Sequence, residues 1–325
     1  MEHSITFTDY SAYDISARSG MSFSEKESLC ESLFNSTGPF WHLTNNGTKM
    51  EVIFTTREDY RFAMNAIAVS VLEENVGIIT FEVMSDHIHF LLQGTEECCL
   101  AFFNRVKHKL MSYFTRSGRT IEWKPFEVED PIEIMDLRTL RNEIVYTNRN
   151  GFLVDTSKTP FSYPWGAGYL YYNAITDMDL GVPCSGMSYR LKREKFHLDK
   201  VSFPSEYRYQ DGIILPSSYC NIALGQAVFR DGAHYFNLLS KAFEAYSETA
   251  KRLGDNFFLT DEEMYPALVE ICRKQFGSQS PRNLGIKQKI NVARIMHKEY
   301  NSSNEQIRRM LSMDISIINQ LFPPK

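Results

Sequence analysis

Apolar positions recur along the chain with two different periods, and the switches between them mark out the elements. The stretch "FWHLTNN" (40–46) alternates as a strand does and runs into a turn at Asn46-Gly47, and "MEVIFTT" (50–56) reads as a further extended piece. In "REDYRFAMNAIAVSVLEEN" (57–75), Phe62, Ile67, Val71 and Leu72 return at helical spacing, as a helix lying on a sheet requires. "VGIITFEVM" (76–84) and "HIHFLLQG" (87–94) give two short strands joined at Ser85-Asp86. Helical spacing resumes from Glu96 to about Arg116. "IEWKPFEVE" (121–129) looks extended, and "MDLRTLRNEIVYTNRNG" (135–151) looks like a helix stopped near Gly151.

The order strand, helix, strand, strand, helix, strand, helix predicts an α+β fold. It is that of the ferredoxin-like split βαβ arrangement, with an antiparallel sheet and one extra helix, over residues 39–175. Residues 1–38 show little periodicity and read as an N-terminal arm. The prolines, glycines and mixed polarity of 176–215 read as a linker with some structure, and 216–325 is helical in pattern throughout, an all-α domain. Near its end Ile286, Ile290, Ala293, Met296 and Tyr300 mark an amphipathic helix. "SSNEQIRRML" follows with a capping-box pattern from Ser303 to Gln306, and "ISIINQLF" starts behind Asp314. Two short helices with a tight turn between them fit a helix-turn-helix over about 285–322, whose second helix would offer Ser316, Asn319 and Gln320 to base edges; a plain three-helix unit gives the same pattern.

With 325 residues, 43% hydrophobic and 23% charged, the chain has the balance of a folded globular protein with room for more than one domain. No apolar run approaches the roughly 18 residues of a membrane span, and "MEHSITFTDYSAYD" has neither the basic start nor the apolar core of a signal peptide, so a cytoplasmic protein without membrane partners is expected. Cys30, Cys98, Cys99, Cys184, Cys220 and Cys272 lack CxxC spacing and read as reduced thiols. A net charge of -5 excludes a uniformly basic coat, but its distribution is uneven. Arg105, Lys107, Lys109, Arg116 and Arg119 fall between Cys98 and Ile121 with no acid among them. Residues 281–325 hold Arg282, Lys287, Lys289, Arg294, Lys298, Arg308, Arg309 and Lys325 against Glu299, Glu305 and Asp314. Basic surfaces of this kind can engage phosphate, although a charge run is more often a solvated face.

Candidate chemistry concentrates in "DHIHFLL" (86–92). On a strand, His87 and His89 share one face while Ile88, Phe90 and Leu92 take the other, so two imidazoles are held at a fixed separation suited to one divalent ion. A bare pair of this kind is more often two polar residues on a half-exposed strand. Gln93, Gly94 and Thr95 do not supply the further ligands a metallo-β-lactamase-like hydrolase would need. In "IVYTNRNG" (144–151), Tyr146 and Asn150 are one helical turn apart on a face that Asn148 does not share. The same residues fit a packing tyrosine and an ordinary helix end.

Taken together, "EVMSDHIHFLL", the basic helix after it, "YTNRNG" and "YPWGAGYLYY" (163–172) resemble the single-tyrosine HUH transposases, especially the REP-associated tyrosine transposases, over about residues 39–175. The resemblance rests on four motifs in order. It implies Mg²⁺ or Mn²⁺ held by His87, His89 and Asn150, and Tyr146 as nucleophile in cleavage and rejoining of single-stranded or hairpin DNA through a 5′-phosphotyrosine. Where the family has Tyr-Ile-His-Leu-Asn-Pro, this chain has Tyr-Thr-Asn-Arg-Asn-Gly. A register using Asn148 as the family's asparagine would put Ile144 at the nucleophile position. Arg149, the 105–119 cations, Lys287, Arg308 and Arg309 are the candidates for phosphate contact. Relatives occur as monomers and homodimers. The expected function is a metal-dependent DNA strand transferase or nickase; a DNA-binding regulator that keeps the fold without the chemistry is the alternative, and a hydrolase of small phosphoesters would leave the tyrosine and basic helices unexplained.

Overall fold

The computed structural model describes residues 14–47, 50–153, 163–173, 181–196, 202–252, 261–278, 280–300, 302 and 304–323. In chain order the elements are α1 (Phe23–Thr37), β1 (Phe40–Thr44), α2 (Arg57–Val71), β2 (Gly77–Val83), β3 (Ile88–Gln93), α3 (Glu96–Arg116), β4 (Ile132–Glu133) and α4 (Leu137–Leu153). They continue with β5 (Val182–Pro183), α5 (Tyr189–Phe196), β6 (Arg208–Gln210), β7 (Ile213–Ile214), α6 (Ile222–Ala227) and α7 (Gly232–Arg252). The last four helices are α8 (Asp261–Phe276), α9 (Ile286–Glu299), α10 (Asn304–Leu311) and α11 (Ile315–Leu321). The fold is mixed α and β, with antiparallel pairing in both of its sheets.

The larger sheet has the order β2-β3-β1-β4. Because side chains alternate along a strand, its two faces carry different residues. Leu43, Phe81, Val83, Ile88, Phe90 and Leu92 face α2 and α3 and join Phe62, Phe102, Phe103 and Leu110 in one core. Phe40 and Leu91 belong to the opposite face and join Leu140, Ile144 and Val145 of α4 in a second. The β2–β3 register shifts between Ile78 and Thr80, and Ile79 belongs to the second core.

Several stretches differ from their expected form. Residues 50–56 form no strand: the amides of Ile53 and Phe54 both donate to the Ser85 carbonyl. The last strand of the sheet is Ile132–Glu133, and 121–129 is mostly irregular, since Pro125 and Pro131 cannot donate to a ladder. α4 continues through Gly151 to Leu153. Residues 14–38 are built into the body. Ser22 and Glu25 form a capping box at the start of α1, and the buried Arg18 guanidinium donates to the carbonyls of Ala227 and Phe229. Within 176–215, the β5-β6-β7 sheet lies beside α2, where the Asn65 amide donates to the Gly212 carbonyl and its carbonyl oxygen accepts from the Ile214 amide.

Helices α6 and α7 cover the second core with Leu224, Val228, Phe229, Tyr235 and Leu239. The described residues of 261–323 form a third core, in which Met264, Leu268 and Cys272 of α8 meet Val292, Met296, Ile307, Leu311 and Ile318. Val52 joins it from the body, and Arg282 pairs with Glu51 at 2.9 Å. Asp314 caps α11; Ser303, the expected cap of α10, lies outside the described residues. The cysteines are free thiols, buried apart from the half-buried Cys98. Among the described residues no helix is long and apolar enough to cross a membrane.

Candidate functional site

The second face of the sheet carries a row of polar side chains across its middle. His42 of β1 and His89 of β3 lie on this face as diagonal neighbours, because His42 pairs with Leu91 and Thr44 with His89. His89 Nδ1 is 3.1 Å from His42 Nε2, and His89 Nε2 is 3.0 Å from His87 Nε2. Each end of the row meets a carboxylate. Asp86 Oδ1 lies 2.7 Å from His87 Nδ1, and Glu143 Oε2 of α4 lies 2.8 Å from His42 Nδ1, close but off the axis of a hydrogen bond. The result is a sequence of carboxylate, three imidazoles and carboxylate running from the β2–β3 turn to α4.

Local structure fixes each member. The Asn45 carboxamide holds the turn, donating to the Asp86 carbonyl and accepting from the Ile88 amide. Gly47 lies against the ring of His87, where an added Cβ would come within 2.6 Å of Nδ1, so the close approach requires glycine. His89 is buried, and burial together with the neighbouring His87 and His42 holds its pKa well below the usual imidazole range. It is therefore a neutral ligand-type imidazole at neutral pH. Glu82 stands directly across from His89 on β2, and its buried side chain lies under Gly168 and α4.

Tyr146 projects from α4 over this row. Its ring centroid is 5.5 Å from that of His89, edge-on at 89°, and 6.2 Å from that of His42. At 41% exposure it is open to solvent. The Arg149 guanidinium lies 5.4 Å from the Tyr146 ring centre and donates to the Ala242 carbonyl at 3.1 Å. Asn148 points the other way, accepting from the Thr80 hydroxyl at 2.5 Å and donating to Tyr235 at 3.1 Å. Ile144 is fully buried, so a register with a nucleophile at 144 has no reactive group to offer. The side chain of Asn150 lies outside the described residues, although α4 carries position 150 one turn beyond Tyr146.

Two bound imidazole nitrogens about 3 Å apart are the spacing of adjacent ligands on one ion with bonds of about 2.1 Å. The outer nitrogens of both rings are engaged, His87 by Asp86 and His89 by His42, and both Nε2 atoms are turned toward each other. Donor chemistry thus fits a divalent cation held by His87 and His89. Among the described residues no group of three or more His, Cys, Asp and Glu is disposed around one point.

The basic residues fall elsewhere. Arg105, Lys107, Lys109, Arg116 and Arg119 belong to α3 and the turn after it, on the far side of the sheet from Tyr146. Glutamates hold three of them: Arg105 pairs with Glu74, Lys109 with Glu73 at 3.0 Å, and Lys107 with Glu127 at 3.0 Å. Arg119 pairs with Asp59 at 2.9 Å. On the helical unit, Lys287, Arg308, Ser316, Asn319 and Gln320 are exposed and Arg309 is half-buried. The Ser316 hydroxyl is tied to Asp314, and the Asn319 carbonyl accepts from Asn304.

His42, Glu143, Asp86 and Glu82 escape a reading of the sequence alone. The alternation in "FWHLT" does set His42 apart from Trp41 and Leu43, but only strand pairing places it beside His89. Comparison with family models, with curated proteins and with solved structures finds no match for this chain.

Proposed function

We propose that the chain is a metal-dependent DNA strand transferase or nickase of the single-tyrosine HUH kind, acting on single-stranded or hairpin DNA. The observation that carries the reading is the placement of Tyr146 edge-on to His89, whose Nε2 faces that of His87 at 3.0 Å. The strand order β2-β3-β1-β4, with helices after β1 and β3, supports a ferredoxin-like HUH domain. The sequence α9, α10, α11, with Ser316, Asn319 and Gln320 exposed on α11, supports a helix-turn-helix that grips DNA.

His87 and His89 would hold Mg²⁺ or Mn²⁺, with position 150 as a further ligand; imidazole ligands favour Mn²⁺ of the two. The bound ion would polarise the scissile phosphate and offset the charge that develops on its oxygens. Tyr146 has the exposure a DNA strand needs to reach it. Its phenolic oxygen attacks phosphorus as its proton leaves to water, a P–O bond to tyrosine forms, and the bond to the 3′ oxygen breaks as that oxygen takes up a proton. The phosphodiester is exchanged rather than hydrolysed, so a 3′-hydroxyl can reverse the step and rejoin the strand. Arg149, stacked near the ring, offers positive charge beside the phenol.

The experiment is incubation with end-labelled hairpin DNA and Mn²⁺ followed by denaturing electrophoresis. A protein-DNA adduct that survives denaturation and is absent in Tyr146→Phe supports the reading. The second reading, a DNA-binding regulator without chemistry, draws on the departure from the family's motif at Tyr-Thr-Asn-Arg-Asn-Gly. It predicts binding with no adduct.

A further inference from the structure

We propose that the groove between α2, α3 and α5 binds the phosphate backbone of a second nucleic-acid segment, distinct from the one presented to Tyr146. The inference takes its class of partner from the reading above. Its location comes from a separate set of residues. The groove has a volume of about 450 Å³, with Phe62, Ala66, Ala101 and Phe196 as its apolar floor. Arg105, His108, Lys109 and Arg116, with Asn104 and Ser112, supply the polar part of its lining.

Asn104, Arg105, His108, Ser112 and Arg116 form one exposed stripe along the outer side of α3, with the half-buried Lys109 beside it, because their positions recur at helical spacing. The inner side carries Phe102, Phe103, Val106 and Leu110 into the core beneath Phe90. The whole sheet therefore separates the groove from His89 and Tyr146, and the segment lying in one is distinct from the segment cut at the other.

Charge selects the partner. Glu73 and Glu74 face Arg105 and Lys109 and hold them in place, two carboxylates against two cations, and Arg116 adds a third cation to the lining. Arg116 and His108 are exposed and make no ion pair among the described residues. Helix α5, which ends at the groove with Phe196, adds exposed Arg190 and Arg193 against Glu194, and its Lys192 ammonium sits 5.3 Å from the Phe203 ring centre. From Arg105 to Arg116 the stripe runs about 16 Å along the helix axis. That is too long for a single phosphate and suits successive phosphates of one strand. Donors on an apolar floor fit a backbone with its sugars rather than a hydrated small anion.

The test is fluorescence anisotropy of a labelled single-stranded oligonucleotide titrated with the full chain at several KCl concentrations, for the wild type and Lys109→Ala/Arg116→Ala, run beside the adduct assay described above. Arg116 is exposed and Lys109 half-buried on α3, and far-UV circular dichroism checks that the double variant folds. Loss of two phosphate contacts is expected to weaken binding on the order of tenfold and to reduce the slope of log affinity against log salt by about 1.4. An unchanged slope and affinity in the double variant overturns the inference. So does a result in which inorganic phosphate perturbs the His108 resonance while the oligonucleotide fails to bind, which would assign the groove to small anions. A groove-dependent slope without a tyrosine adduct sinks the strand-transfer reading and leaves this inference standing. An adduct with a groove-independent slope does the reverse.

Discussion

The two faces of the four-stranded sheet are made by the same strands and follow opposite rules. Toward α2 and α3, β3 presents Ile88, Phe90 and Leu92 to a dry aromatic core, where the Phe90 ring lies 5.1 Å from Phe102 and 6.0 Å from Phe81. Toward α4 the same strand presents His89 beside His42, Glu82 and Thr80, polar groups in buried positions. A buried polar group is costly unless it is partnered, and the imidazoles of this face partner one another and Asp86, with Glu143 beside His42. The dry face supplies stability, and the polar face uses the rigidity that this stability provides.

Substitutions should separate the two faces. The largest effect belongs to Phe90→Ala, expected to cost about 3–5 kcal/mol of unfolding free energy through the cavity it leaves. A loss below about 1 kcal/mol in chemical denaturation would show that the aromatic core is not the anchor. Next, Glu143→Gln should leave folding intact and weaken Mn²⁺ binding about 10- to 100-fold by calorimetry, since it loosens the His42–His89 arrangement behind the metal-facing nitrogen. Equal affinity would reduce Glu143 to a surface carboxylate. His87→Ala should abolish cleavage and cost less than about 1 kcal/mol of stability, because its ring lies at the rim of the face, whereas His89 is buried.

The smallest effect concerns pH. Burial holds His89 well below the usual imidazole range, and burial with the charges of Arg230 and Arg141 lowers His234 to about 4. Unfolded, both take up a proton near pH 6.5, so below that value the unfolded chain binds more protons than the folded one. Their contribution to stability is complete above about pH 6.5 and declines as the pH falls, for His234 down to about 4. The melting temperature should therefore be lower at about pH 5 than at about pH 7. A flat or rising profile on acidification would contradict the neutral, buried state of these imidazoles.

Much of this contrast was legible in the chain. Period 2 in "HIHFLL" sorted His89 from Phe90, and period 3.6 in "IVYTNRNG" sorted Tyr146 from Asn148, as the exposed ring and the buried amide show. Local spacing cannot say which distant residue lies opposite, and His42 and Glu143 reach the site only through strand pairing and helix docking. For the same reason the partner of an apolar helix face was unreadable: α1 and the α6–α7 pair cover the α4 face, while the described residues of 261–323 pack in a third core that Val52 joins. The basic run on α3 was visible as charge, but not as charge held by Glu73, Glu74 and Glu127 on the face turned away from the tyrosine.

The central claim is that the polar face holds a divalent ion through the imidazoles of His87, at the β2–β3 turn, and His89, on β3. Pulsed electron paramagnetic resonance of the full chain with Mn²⁺ reads this directly, because bound nitrogen leaves a modulation that water oxygen does not. The account predicts coupling to two imidazole nitrogens in the wild type, reduced to one in His87→Ala with the fold retained. A spectrum without nitrogen coupling, or one unaltered by that substitution, would contradict it.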